Sequence, residues 1–91
     1  MKATDRLVRV FCSIDDPRMM KRFMKEVFTP SELEDISKRW KVMEMLERGH
    51  SQRSIATKLG VSLCKITRGS KVLKTGGSVS RRLLCELTSR R

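Results

Sequence analysis

Apolar residues along this chain recur at intervals of three and four, the spacing of helices that each bury one face. Strand-like runs of alternating β-branched and aromatic residues are absent. Over 30–48, Leu33, Ile36, Trp40, Met43 and Leu46 predict a long helix with a wide buried stripe. The best local signal stands at its start. In "FTPSEL", Thr29 can cap, Pro30 fits the first turn, and Glu32 closes a capping box, with Phe28 and Leu33 placed as a hydrophobic staple. Gly49 is expected to end this helix. Upstream, residues 4–13 form a short apolar-basic stretch, and Asp16 with Pro17 opens a helix to about Val27. Downstream, Ser51 can cap a short helix ending at Gly60, and Ser62 a second one to about Leu73. "TGGS" at 75–78 then stops that helix, and Ser78 or Ser80 starts a last one carrying Leu83, Leu84 and Leu87. The expected fold is all-α, with six helices in one domain over 1–91.

The pair 51–59 and 62–74 has the layout of a helix-turn-helix. Ile55 and Leu59 share a face of the first helix, and Ala56 is small where the second would cross. Gly60 can take the positive φ of a tight turn, Val61 plugs it, and Ile66, Ser70 and Leu73 supply the inner side of the second helix. An ordinary αα-hairpin with a solvated basic face explains these apolar positions equally well. Charge separates the two. The net charge is +11, and residues 51–91 hold ten Lys/Arg against a single acid, Glu86, whereas residues 1–50 hold eleven against nine. Withholding acids from one half is how a footprint for a polyanion is written, nucleic acid before a membrane surface or an acidic protein.

Lys65, Arg68, Lys71 and Lys74 sweep about half the circumference of the second helix, which suits a rod meeting phosphates on both walls of a major groove. Leu63, Cys64 and Thr67 stand near its leading end, where base edges are met; Ser70 is a further candidate contact. Gln52 and Arg53, opening the first helix, are placed for a phosphate and a guanine edge. Gly69 is the anomaly: a glycine inside a helix costs about 1 kcal/mol relative to alanine.

Three widely spaced cysteines, Cys12, Cys64 and Cys85, are read as reduced thiols in a cytosolic protein, and no apolar run approaches the length of a membrane span. At 91 residues the chain buries only about 60–65% of its unfolded surface, so oligomerisation is the expected stabilising device. His50 is read as a loop residue, Trp40 as core or dimer interface, Met19, Met20, Met24, Met43 and Met45 as core filler, and Arg81, Arg82, Arg90 and Arg91 as a solvated basic end. No nucleophile–base set, phosphate-cradling loop or metal-spaced cluster points to an enzyme.

Taken together, "QRSIATKLGVSLCKITRGSKVLK" and "FTPSELEDISKRWKVMEMLERG" closely resemble the tryptophan repressor family, most specifically in Ile66–Ser70. The similarity covers about residues 28–74; the flanks match only in helical character. The resemblance implies an intertwined homodimer with two helix-turn-helix heads, whose spacing on palindromic operator DNA is set by bound L-tryptophan. It also gives Gly69 a purpose, as the place where the indole slots between the long helix and the recognition helix. By the same resemblance Arg68 partners the ligand carboxylate, Arg39 lies against ring and carboxylate, Thr29 is a further contact, and Val42 lines the apolar wall. Four departures stand out. Val72 replaces a serine that offers its hydroxyl to the ligand's amino group; "RGHSQR" is one residue shorter than the usual turn; Lys65 and Lys71 replace a threonine and an asparagine; and the segment before Phe28 is short. The expected function is a tryptophan-activated repressor. Its rivals are a ligand-independent regulator on the same scaffold and a basic architectural or RNA-binding protein.

Overall fold

A computed structural model describes residues 2–89, with side chains to Leu87. It contains six helices: α1 (Ala3–Ser13), α2 (Pro17–Val27), α3 (Pro30–Glu47), α4 (Gln52–Leu59), α5 (Leu63–Lys74) and α6 (Val79–Ser89). No strand occurs among the described residues. The chain forms two compact units, one ending at Glu34 and one beginning at Asp35.

In the first unit, punctuation in the sequence sets the helix boundaries. Pro17 opens α2 behind Asp16, whose Oδ1 accepts the Arg18 N–H at 3.2 Å. The capping box at α3 forms as its spacing requires. Thr29 Oγ1 accepts the Glu32 N–H at 3.1 Å, and the Thr29 N–H donates to Glu32 Oε1 at 2.8 Å. What holds the unit is aromatic: the Phe11 ring meets Phe23 edge-on at 5.3 Å and Phe28 at 6.5 Å. No described residue of this unit is buried. Leu7, Val8, Val10 and Val27 are exposed, and Met19, expected to fill a core, is 59% exposed.

The Thr29 backbone N–H, and after it the Thr29 hydroxyl, hold the Glu32 carboxyl below its ordinary range. A depressed folded-state pKa contributes stability above the unfolded-state pKa and loses it as pH falls through the folded-state value. Wild type is therefore expected to exceed Glu32→Gln in stability near neutrality, with the gap closing on acidification. Denaturant titrations of both proteins across the acid range check this; a gap independent of pH would refute it.

The second unit carries the core. Val42 and Met45 from α3, Ile55 from α4 and Ile66 from α5 are buried together, with Leu46, Ala56, Leu59 and Val61 packed around them. This corrects the stripe expected on α3: Ile36 is exposed, and Leu33, Trp40, Met43 and Leu46 are only half-buried. The face that α3 buries is set by what crosses it, and α5 crosses at Val42, Met43 and Leu46. α3 closes with the Gly49 N–H donating to the Leu46 carbonyl and the His50 N–H to that of Met45, both at 3.0 Å. Ser51 and Ser62 cap α4 and α5 through the N–H groups of Ser54 (3.1 Å) and Lys65 (3.3 Å). Between them Gly60 sits at φ +63°, the left-handed conformation that a glycine adopts without strain. α4 packs on α5, and α5 on α6, which is capped by Ser78 and buries Leu84 but not Leu83 or Leu87.

Candidate nucleic-acid interface

The α4–turn–α5 pair is locked from inside. Ile55 and Ile66 are fully buried, Leu73 is buried, and Val61 fills the turn, as the sequence pattern requires. With the apolar side committed inward, the remaining side chains must project outward. Gln52 and Arg53 open α4 and are exposed; Cys64, Lys65, Thr67, Arg68, Lys71 and Lys74 are exposed along α5. Lys58, not singled out from sequence, is exposed at the end of α4 and joins them; the absence of any acid over 51–80 was the available signal. Six cations thus face solvent between Ser51 and Lys74 with no carboxylate among them. Such a surface attracts a polyanion with nothing on the same elements to oppose it.

Leu63, the first residue of α5, is 59% exposed. Ser70 is half-buried, which fits the inner side of the helix better than an outward contact. The basic end expected from Arg81, Arg82, Arg90 and Arg91 is partly neutralised where it falls within α6. Arg81 Nε lies 4.0 Å from Glu47 Oε1, and Arg82 Nε lies 3.4 Å from Glu86 Oε1. Cys85 Sγ also approaches Glu47 Oε1, at 3.7 Å, so the last residue of α3 faces one turn of α6, a link that residue spacing does not reveal. Arg90 and Arg91 lie outside the described residues.

The residues that the resemblance assigned to a ligand are spread differently. Thr29 belongs to the first unit and caps α3. Val42 and Gly69 are brought together: a Cβ built on Gly69 would stand 3.2 Å from Val42 Cγ1, 3.5 Å from Met43 Cγ and 3.6 Å from Leu46 Cδ1. Gly69 is therefore where α5 comes closest to α3, and the missing side chain is what permits it. Arg39 and Arg68 are exposed, and Val72 is 38% exposed. Among the described residues no group of His, Cys, Asp and Glu could hold a metal ion, and no helix is long and apolar enough to cross a membrane.

The family model described as "Trp repressor protein" matches residues 2–88. The chain belongs to the Trp repressor family. The match takes in the flanks, so the family likeness extends well beyond residues 28–74. Among relatives, a "Trp operon repressor homolog" from Xylella fastidiosa is 39% identical over 74 residues, 80% of each chain. One from Chlamydia trachomatis is 34% identical over 71 residues, 72% of this chain and 76% of that one. A third, from Vibrio campbellii, is 33% identical over 75 residues, 81% of this chain and 75% of that one. Membership in the Trp repressor family gives the acid-free helix pair a context that charge alone does not.

Proposed function

We propose that this chain is a homodimeric transcriptional repressor of the cytoplasm that grips operator DNA with α4 and α5 when L-tryptophan is bound. The observation that carries it is the α4–α5 pair, fixed by Ile55 and Ile66 and presenting six exposed cations without an acid. The names of the relatives, each a Trp operon repressor homolog, support the same reading. A second copy is supported by the exposed apolar residues of the first unit, which contains no buried residue among those described.

The residues fit tryptophan in two of its three parts. Arg39 and Arg68 are exposed cations suited to a carboxylate. Val42 and the side-chain-free Gly69 form an apolar contact between α3 and α5, a seam that a flat ring enters by parting the two helices. For the ammonium, Val72 offers no acceptor, and losing a hydrogen bond to a charged group costs about 1.5–3 kcal/mol. That apolar side chain, with Gly69 already packed on Val42, favours a second reading: a regulator that binds DNA without the ligand.

A mobility-shift titration of an operator selected from random duplex, with and without L-tryptophan and against random competitor, tests both. Tightening of at least tenfold by the ligand is expected; equal affinity in both arms would leave the ligand-independent regulator. Absence of any preference over random duplex would favour an architectural protein. Affinity should also fall with salt, by about 0.9 in log–log slope for each phosphate neutralised.

A further inference from the structure

We propose that Leu63 reads the 5-methyl group of a thymine in the major groove, making it a specificity-determining residue of this protein. The inference rests on the reading that α4–α5 grips duplex DNA. Leu63 and Val72 are the two exposed large hydrophobic residues of the helix pair. They lie on different flanks of α5, because nine positions amount to two and a half turns. Leu63 instead shares one exposed side of the helix with Thr67 and Lys74, four and eleven positions further on. Along that side the chemistry changes from apolar, through hydroxyl, to cationic. The cationic end suits phosphate, and the apolar end cannot.

A leucine at the leading end of a recognition helix has few partners in a groove. Phosphates are charged, and the major-groove edges of guanine, cytosine and adenine are read through donors and acceptors. In unmodified DNA the apolar feature available there is the thymine methyl. Leu63 is 59% exposed and follows the capping Ser62, so its position is fixed by the start of α5 and its side chain has surface left to bury. Burying one methyl group against it is worth about fourfold in affinity.

The test starts from duplexes enriched by the wild-type protein from a random library in the presence of L-tryptophan. Each thymine of the enriched site is replaced singly by uracil, which deletes the methyl and keeps the pairing. At one thymine in each half-site, wild type should lose about fourfold. Leu63→Ala should bind the unmodified site more weakly by a similar factor and be indifferent to that uracil, while Leu63→Met, which keeps an apolar tip, should retain the sensitivity. Circular dichroism of the variants checks that the helices persist. Indifference of wild type to every uracil, or undiminished sensitivity in Leu63→Ala, overturns the inference alone. Failure to enrich any site overturns the DNA-binding reading along with it.

Discussion

Ile66→Ala is expected to lower the free energy of unfolding by about 2–5 kcal/mol, the range for emptying a fully buried aliphatic site. Ile66 is 0% exposed and packs with Val42, Met45 and Ile55, so its removal opens a cavity that three elements line. Domains of this kind hold only about 5–15 kcal/mol in total, so the variant stands near the edge of folding. The residue lies between Lys65 and Thr67, so the same change should loosen the helix that carries them. Urea denaturation of wild type and variant at equal protein concentration reads the loss, since any oligomer makes stability concentration-dependent. Ile66→Val should cost far less. A loss below about 1 kcal/mol for Ile66→Ala would mean that the α3–α4–α5 cluster does not form the core.

The second large effect is expected at Gly69. Leucine there would drive a branched side chain into Val42, Met43 and Leu46, where even a Cβ stands 3.2 Å from Val42 Cγ1. Overpacking of this kind costs about 1–3 kcal/mol and pushes α5 away from α3. L-tryptophan binding and ligand-dependent DNA binding should both be lost, as followed by calorimetric titration and mobility shift. Retained tryptophan affinity would place the ligand elsewhere. Gly69→Ala divides the causes more finely. Helix propensity favours alanine by about 1 kcal/mol, while the 3.2 Å contact demands that Val42, itself 2% exposed, give way. We expect the contact to win, and the substitution to become favourable once Val42→Ala removes the obstructing atoms. Stabilisation by Gly69→Ala in the native background would contradict the close approach.

The helix boundaries were legible because they are written in local chemistry. Thr29 with Glu32, Asp16 with Pro17, Ser51, Gly60 and Ser62 each act on neighbours within four residues, and each does in the structure what its spacing required. The inward set of the helix pair was legible for the same reason, since Ile55 with Leu59 on α4, and Ile66 with Leu73 on α5, each recur at helical spacing. Burial on α3 was not. Several apolar positions compete there, and periodicity cannot say whether Ile36 or Val42 meets another helix. Only the crossing by α5 decides, and that is a long-range fact. Met19 misled for a related reason: an apolar type signals a tendency, not a partner. The meeting of Glu47 with Arg81 and Cys85 joins residues far apart in sequence and leaves no local trace. Among the candidate contacts, the exposed cations needed only their types and the missing acids. For Gly69 the resemblance offered a ligand slot, whereas the geometry adds a simpler cause in the contact with Val42.

The backbone-to-side-chain seating of α5 on α3 has a mechanical corollary. Two rods that touch through an absent side chain have no play between them, so the pitch of one is geared to the other. A flat ring wedged into that seam needs about 3.5 Å of clearance. Gained at Gly69, midway along a helix of 12 residues, such a clearance would tilt that helix and re-aim every lysine it carries.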